Sequence, residues 1–597
     1  MNPRFSYWFP SAVMMLLLVG CGESEGIPET HSSRPASESF GADAAAPPAS
    51  EASDDLYQLD GASKPIATSS GASTSSPAPM RELQPAAPSA ASPAGFADNL
   101  IGADLATPGG VRDEAEFNTD AYDHIVENEF LAARQNPLST FSIDVDSASY
   151  SNVRRFLNRQ QLPPPDAVRI EELVNYFTYA YPQPEGDVPF SVNVEVAGCP
   201  WQTKHRLVRI GLKGREIEFD QRPLTSLVFL LDVSGSMNQA NKLPLVKSAM
   251  KLLVEQLGEN DSVAIAVYAG NSGVVLPPTP GNRREEIMSA LDRLSAGGST
   301  NGGEGIELAY SLAQDSYIEG GVNRVILCTD GDFNVGTTNH SELVRLIEQK
   351  AKSGVFLSVL GFGMGNYKDT TLEKLADKGN GNYGYIDTQN EARRLLVEQL
   401  NGTLVTIAKD VKIQVDFNPA RVAAYRLIGY ENRMLKAEDF RDDTKDAGEI
   451  GAGHTVTALY EVIPAGQPVP GTDVEPSKYT TPPKDQEPTQ PAEDGDASNE
   501  LLTVRLRYKH PEADRSLALR VPAVDEGKEF DKASGDFRFA AAVAQFGMLL
   551  RDSKHRGEAN FDAVIEIAAS ALGPDHSGYR TEFLQLAGTA RKLKGAG

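Results

Sequence analysis

The residues with the clearest chemical potential lie at the end of one apolar segment. Residues 227–231 are continuously apolar, and an Asp-x-Ser-x-Ser pattern formed by Asp232, Ser234 and Ser236 follows them. A run of this kind is typical of a buried strand, so the pattern places a carboxylate and two hydroxyls at the strand's C-terminal end. Mg²⁺ prefers oxygen ligands of these types and keeps coordination positions for water or a partner's oxygen. The pattern therefore indicates a candidate metal site.

Two further segments bring oxygen ligands towards the same place. A second apolar segment, residues 325–328, leads to Asp330, and a glycine-rich loop at residues 297–303 contains Thr300. In an open parallel sheet, ligands bind at the carboxyl ends of the strands, so we expect Thr300 and Asp330 to lie close to Asp232. Two carboxylates and three hydroxyls would neutralise Mg²⁺ and leave one coordination position incomplete. Ca²⁺ and Mn²⁺ are alternatives with related ligand chemistry.

Each of these pieces also has a simpler structural explanation. Asp and Ser favour turns and helix caps, and Asp-Gly after a strand is a common turn. Three such pieces at the ends of successive strand–helix units favour the metal site over coincidence. Asp332 is a further carboxylate nearby, and we expect it to cap the next turn.

The elements that must position these ligands occupy residues 223–408. Apolar strands alternate there with amphipathic helices, which predicts a doubly wound, mostly parallel sheet covered on both faces in a multidomain α/β protein. The predicted strands are 226–231, 262–268, 324–328 and 355–360, and the predicted helices are 245–257, 284–294, 305–312, 341–352 and 371–378.

Regions of a different character flank this domain. The pattern of residues 114–222 predicts an α+β region in which Asp166 caps a helix. The pattern of residues 409–597 predicts a domain that is first β-rich and then helical, with a flexible insert at 465–499. Each region by itself offers too few strands to cover an apolar face. We therefore expect the strands of 190–212, 411–463 and 501–522 to share one β-sandwich, followed by helices at 537–550 and 561–572.

The N-terminal segment predicts export and a tether. Residues 1–21 read as a signal peptide, and Leu18-Val19-Gly20-Cys21 resembles the bacterial lipobox. That resemblance implies acylation of Cys21, with palmitate among the chains, and stable anchoring needs more than one chain. Because Gly22 follows the cysteine, analogy with Gram-negative sorting indicates the outer membrane of the cell envelope. The alternative is an ordinary signal peptide with a chance cysteine.

The stretch that follows the signal peptide, residues 22–113, is rich in Ala, Ser, Pro and Gly and has few aromatic residues. Such a segment buries too little apolar surface to offset its conformational entropy. We expect it to be a disordered tether between the anchor and the folded body.

Three motifs in order carry a family resemblance. Asp-x-Ser-x-Ser, then Gly-Gly-x-Thr, then Thr-Asp-Gly resemble a von Willebrand factor type A domain with its metal-ion-dependent adhesion site. The resemblance implies that Ser234, Ser236 and Thr300 bind the metal directly and that Asp232 and Asp330 act largely through water. It also implies that the open position accepts an acidic side chain from a protein partner.

The flanking segments 136–146, 162–172 and 427–433 resemble the YfbK family of bacterial lipoproteins, which carry this domain between N- and C-terminal regions. The resemblance extends from about residue 114 onward. It implies the architecture of the chain more than its activity.

Composition and missing motifs exclude several classes of function. The chain has 56 Lys and Arg against 82 Asp and Glu, a formal charge of −26, which opposes binding to nucleic acid. Its eight histidines are scattered, without a zinc pattern, and no G-x-S-x-G motif is present. A disulfide between Cys199 and Cys328 is disfavoured because Cys328 lies in a predicted central strand. We therefore expect no enzyme activity.

Two functions other than catalysis remain, and they belong to different classes. The first is an envelope-anchored lipoprotein that binds a protein partner through a divalent cation. The second is an assembly factor of the envelope whose flanking regions make the contacts and whose metal is only structural. A metal-assisted hydrolase is a third, weaker alternative, because only Asp332 offers itself as a general base.

Overall fold

The computed structural model describes residues 122–218, 221–269, 272–298, 302–331, 340–363, 369–445, 447–470 and 499–595. The predictions for Cys21, the signal peptide, the tether, Thr300, Asp332 and most of the 465–499 insert lie outside the described residues. The predicted domain boundaries remain predictions.

The β-strands are numbered in chain order. They are β1 (Leu131–Ala132), β2 (Leu138–Ser142), β3 (Phe190–Gly198), β4 (Arg206–Gly214), β5 (Thr225–Asp232), β6 (Ser262–Tyr268), β7 (Gly273–Pro280), β8 (Val322–Thr329), β9 (Phe356–Phe362), β10 (Tyr383–Ile386), β11 (Thr406–Phe417), β12 (Val422–Ile428), β13 (Met434–Leu435), β14 (Ile450–Gly451), β15 (Thr455–Pro464), β16 (Glu500–Lys509) and β17 (Leu517–Val524).

The α-helices are numbered in the same way. They are α1 (Ala148–Asn158), α2 (Ile170–Asn175), α3 (Leu243–Glu255), α4 (Arg284–Asp292), α5 (Gly302–Asp315), α6 (His340–Lys352), α7 (Asp369–Lys378), α8 (Gln389–Arg393), α9 (Leu400–Leu404), α10 (Gly535–Leu550), α11 (Phe561–Ser570) and α12 (Tyr579–Gly595).

The central domain is the predicted doubly wound sheet. Its strand order is β10-β9-β8-β5-β6-β7, and all neighbours are parallel except β6 and β7. Both faces are apolar, because alternate residues of β5 join two separate hydrophobic clusters, as Leu227 and Val228 do. The prediction of a parallel sheet covered on both sides is therefore confirmed.

Strand β7 was not predicted from the sequence. It contains Pro277, Pro278 and Pro280, and proline cannot donate to a strand ladder. Proline is tolerated in an edge strand, and β7 is the antiparallel edge of this sheet. The prolines therefore mark an edge strand rather than a loop.

The flanking strands form the predicted β-sandwich. One sheet has the order β1-β12-β15-β4-β3, and the other has the order β13-β2-β11-β16-β17, with β14 also paired to β11. Side chains from both sheets share one hydrophobic cluster, in which Phe417 stacks on Tyr425 with ring centroids 3.8 Å apart. The central domain is inserted in the chain between β4 and β11, so the sandwich contains strands from both flanking regions.

Helices from both ends of the chain pack together on the sandwich. Residues of α1, α2, α10, α11 and α12 form one cluster that also includes Leu207 of β4 and Leu459 of β15. The next residues, Val208 and Tyr460, belong to the interior of the sandwich. These two strands are therefore buried on both faces, between the second sheet and the helices.

The prediction that Asp166 caps a helix was wrong. Helix α2 begins only at Ile170, and Asp166 lies in a short 3-10 turn that follows consecutive prolines. Val168 after that turn is extended, which separates the turn from the helix. The carboxylate of Asp166 instead accepts a hydrogen bond of 3.0 Å from the backbone N–H of Ile125.

A buried ionic cluster joins the central domain to these helices. Arg154 of α1 is 2% exposed and donates hydrogen bonds of 2.5 Å to Asp387 Oδ1 and 2.8 Å to Glu391 Oε2. Arg394 donates to the other oxygen of Glu391, Oε1, and its guanidinium lies 4.0 Å from the centre of the Tyr176 ring. Although burial opposes it, Arg394 and Arg154 hold the pKa of Glu391 below its ordinary value. The cluster is well paired, which is what charges in a low-dielectric interior require.

A second buried carboxylate makes the stability of the protein depend on pH. Glu171 of α2 is 4% exposed, and its Oε2 atom has no hydrogen-bond partner in the described part of the chain. Burial, together with the charge of Glu431, raises the pKa of Glu171 to about 7 from its ordinary 4.5. The stabilising contribution of protonated Glu171 is thus fully present below pH 4.5 and is lost as the pH rises through about 7.

We therefore expect Glu171→Gln, which cannot ionise, to be more stable than the wild type at about pH 8, by about 1–3 kcal/mol of unfolding free energy. At about pH 4 the two proteins should be equally stable. Chemical denaturation at the two pH values measures this, with the exposed Glu185→Gln as control. Equal stability of Glu171→Gln and wild type at the higher pH would contradict the prediction.

Candidate metal centre

Two of the predicted ligands lie at adjacent strand ends. Strands β5 and β8 are parallel neighbours, and Leu231 pairs with Cys328. Asp232 ends β5, and Asp330 follows the last residue of β8. The chain continues from β5 to β6 on one side, whereas β8 lies on the other, so this is the topological switch point where such sheets bind ligands.

Asp232 is the buried anchor of the site. It is 0% exposed, its Oδ1 accepts a hydrogen bond of 2.9 Å from the backbone N–H of Ser234, and its Oδ2 accepts one of 3.1 Å from the hydroxyl of Tyr268. Burial raises the pKa of Asp232 to about 6, and the charge of Asp330 adds to the increase. These hydrogen bonds fix the turn that carries the two serines.

The two serine hydroxyls lie side by side. Ser234 Oγ and Ser236 Oγ are 3.0 Å apart. Ser234 is only 2% exposed, whereas Ser236 is exposed, in a 3-10 turn formed by Gly235–Asn238. The hydroxyl of Ser234 is therefore buried, and the hydroxyl of Ser236 beside it belongs to an exposed residue.

The glycine-rich loop contacts this turn directly. The backbone N–H of Gly297 donates to Val233 O at 2.7 Å, and the N–H of Gly235 donates to Gly298 O at 3.1 Å. Gly298 has φ of +91°, a conformation that favours glycine. The loop is therefore held against the serine turn immediately before residues 299–301, which include Thr300 and are not described.

Lys242 is a further residue at the site, and the sequence did not predict it. Its Nζ donates a hydrogen bond of 2.9 Å to Asp330 Oδ2, and both residues are buried, with Lys242 3% and Asp330 0% exposed. Lys242 stands ten positions after Asp232, immediately before α3. Its only signal in the sequence is a lysine at the start of an apolar helix, which by itself predicts a solvated side chain.

The donor set fits a small, hard cation. Within the described ranges, no group of three His, Cys, Asp or Glu side chains is placed to hold a metal ion. A metal at this edge would therefore depend on hydroxyl oxygens, and Ser234 and Ser236 offer two of them beside the buried Asp232. Hard oxygen donors with room for water suit Mg²⁺.

Other predictions outside the site were also tested. Cys199 and Cys328 are both buried and free, as expected. Residues 379–384 also match the pattern G-x-G-x-x-G, but they run from the end of α7 into β10 and so lack the strand–turn–helix context of a dinucleotide site. Within the part of the chain that the structure describes, no helix is both long and apolar enough to cross a membrane.

Family models match three successive parts of the chain. The von Willebrand factor type A domain matches residues 226–401, and the YfbK C-terminal family, described as uncharacterized, matches residues 402–593. A model described as von Willebrand factor matches residues 116–209. Von Willebrand factor type A domains generally mediate protein–protein interactions and often bind a divalent metal.

Two known proteins are similar to this chain over different fractions of its length. Inter-alpha-trypsin inhibitor heavy chain H4 from Homo sapiens is 28% identical over 159 residues, 25% of this chain and 17% of that protein. The structure of a von Willebrand factor type A protein from Catenulispora acidiphila is 17% identical, with a TM-score of 0.35, and covers 66% of this chain and 89% of that one.

The uncharacterized protein YfbK from Escherichia coli (strain K12) is similar over most of its length. It is 41% identical over 479 residues, which are 79% of this chain and 81% of that protein. The match includes the central domain and both flanking regions. The chain therefore belongs to the YfbK family of bacterial von Willebrand factor type A proteins.

Proposed function

We propose that this protein binds a protein partner through a divalent cation held at the edge formed by β5 and β8. Ser234, Ser236 and Thr300 would hold the ion directly, and Asp232 and Asp330 largely through water. The ion, when bound, supplies a Lewis-acidic position for a carboxylate oxygen of the partner. The proposed activity is binding, and no catalytic residue is assigned.

One observation carries this proposal. Two serine hydroxyls 3.0 Å apart stand at the switch point, above a buried carboxylate, and one of them is exposed. Nothing in the folding of a strand end requires two adjacent hydroxyls with a fully buried Asp232 beneath them. A partner can reach this edge, since Gly235 and Ser236 are both exposed.

The proposal includes a location in the bacterial envelope. The lipobox-like sequence ending at Cys21 supports a lipid anchor, and the Gly22 that follows it supports the outer membrane. Mass spectrometry of the membrane-extracted protein tests this directly. An acylated N-terminal cysteine is expected, and an unmodified Cys21 would contradict the anchor.

Affinity capture from envelope extract tests the proposed binding. The full chain is immobilised, and bound proteins are identified after washing with excess Mg²⁺ or with EDTA. We expect a partner that is retained in Mg²⁺ and lost both in EDTA and with Ser234→Ala. The control Ser353→Ala changes an exposed serine whose hydroxyl donates to a helix carbonyl.

The same experiment distinguishes metal-dependent binding from the second candidate function, an assembly factor whose flanking regions make the contacts. If a partner is captured equally in Mg²⁺ and EDTA, the flanking regions make the contacts, and the metal bridge is excluded for that partner. The full chain is needed for this test, because the buried cluster around Arg154 holds the central domain against the flanking helices.

A further inference from the structure

The buried lysine at the candidate metal centre has no role in the family pattern described above. Lys242 is 3% exposed, and its ammonium group is 2.9 Å from Asp330 Oδ2. A buried charge is costly unless it is paired, and lysine is rarely so buried. Its position beside a proposed metal ligand therefore calls for a functional explanation.

The backbone holds Lys242 in this position. Its N–H donates to Gln239 O at 3.0 Å, and its carbonyl accepts from Val246 N at 2.9 Å as α3 begins. The aliphatic part of the side chain crosses Gly363, where a Cβ atom would lie 2.5 Å from Lys242 Cε. Gly363, directly after β9, has φ of +80°, so both its conformation and its contact with the lysine favour glycine.

Lys242 changes the charge of the site. Among the described residues joined by these hydrogen bonds, Asp232 and Asp330 carry two negative charges and Lys242 carries one positive charge. A divalent cation added to the two carboxylates alone would give a neutral site. With Lys242 present, the same ion and these three described residues together carry a net charge of about +1.

We propose that Lys242 sets the charge of the metal-loaded site so that it selects a carboxylate from the partner. A neutral metal site would become negative on accepting a carboxylate, whereas this site becomes neutral. The same ammonium group repels the cation, so it weakens metal binding while it strengthens anion binding. This inference rests on the proposed metal-dependent function and adds the residue that determines the class of ligand.

The test uses the full chain as wild type, Lys242→Met and Lys242→Gln. Methionine keeps most of the length of the stem that packs on Gly363, and glutamine keeps a hydrogen-bond donor for Asp330. Lys251→Met is the matched control, since Lys251 pairs with Asp292 on the exposed side of α3. Circular dichroism confirms that each variant is folded before binding is measured.

Metal affinity is the first measurement. Calorimetric titration with Mg²⁺ should show that Lys242→Met and Lys242→Gln bind the ion at least about tenfold more tightly than wild type, because a nearby positive charge is removed. Lys251→Met should bind like wild type. Unchanged or weaker Mg²⁺ binding by both folded Lys242 variants would overturn the inference.

Carboxylate binding is the second measurement. Each protein is loaded with Mn²⁺, and paramagnetic relaxation of the methyl protons of acetate is followed during titration, with acetamide as the neutral control. We expect acetate, and not acetamide, to bind to wild type, and the Lys242 variants to bind acetate at least about threefold more weakly. Equal acetate binding by wild type and variants would overturn the role of Lys242.

These outcomes separate the two proposals. If wild type binds Mn²⁺ and acetate but the Lys242 variants behave identically, only the role of Lys242 fails. If wild type binds neither Mg²⁺ nor Mn²⁺, the proposed function fails, and the inference fails with it.

Discussion

Replacing Arg154 by alanine is expected to lower the free energy of unfolding by about 3–5 kcal/mol. Arg154 is buried and donates to Asp387, Glu391 and Glu582. Its removal leaves Asp387 without its guanidinium partner and leaves Glu391 with one guanidinium partner, Arg394, and the hydroxyl of Tyr176. The cost comes from carboxylates left in a low-dielectric interior, rather than from the intrinsic strength of the pair.

Urea denaturation followed by circular dichroism measures this effect. The control is Arg159→Ala, which removes an exposed arginine at the end of the same helix and should change stability by less than about 0.5 kcal/mol. Adding Asp387→Asn to Arg154→Ala should recover a large part of the loss, because the stranded charge is removed. A small loss for Arg154→Ala, or no recovery in the double variant, would show that the cluster does not stabilise the fold electrostatically.

Replacing Ser234 by alanine is expected to weaken Mg²⁺ binding at least about 100-fold. Loss of a residue that only supports a metal ligand already costs about 10- to 100-fold, and Ser234 is proposed as a ligand. The change removes one oxygen atom from a residue that is 2% exposed, and the backbone N–H that donates to Asp232 is retained. The fold of the turn should therefore survive.

Calorimetric titration of the full chain with Mg²⁺ measures the loss, with Ser353→Ala as the control that binds like wild type. Mg²⁺ should also raise the melting temperature of wild type, since a ligand that binds only the folded state stabilises it. Ser234→Ala should lack this increase. Wild-type affinity in Ser234→Ala would place the ion elsewhere in the chain.

The sequence allowed a detailed prediction for part of the site. Asp232, Ser234 and Asp330 follow apolar runs, and the carboxyl ends of adjacent parallel strands must meet at one edge. Their proximity therefore follows from strand pattern and topology. Lys242 was missed because its ammonium group reaches Asp330 across Gly363, a contact between three distant segments that no local pattern encodes.

The fold was predictable to a similar degree. The β-sandwich was predicted because alternating strands on both sides of the central domain needed a common core. Strand β7 was not among the predicted strands; its three prolines are unusual in a strand interior, although they are compatible with an edge strand. The Arg154–Asp387 pair joins residues 233 positions apart, so it depends on the packing of α1 against the domain and not on any spacing.

Anomalous diffraction from crystals of the full chain grown with Mn²⁺ tests the central claim most directly. The proposed function predicts one strong peak at the edge formed by β5 and β8, about 2.0–2.3 Å from both Ser234 Oγ and Ser236 Oγ. The peak should be absent from crystals of Ser234→Ala. A wild-type crystal with no peak at this edge, or with Mn²⁺ bound only at another site, would contradict the claim.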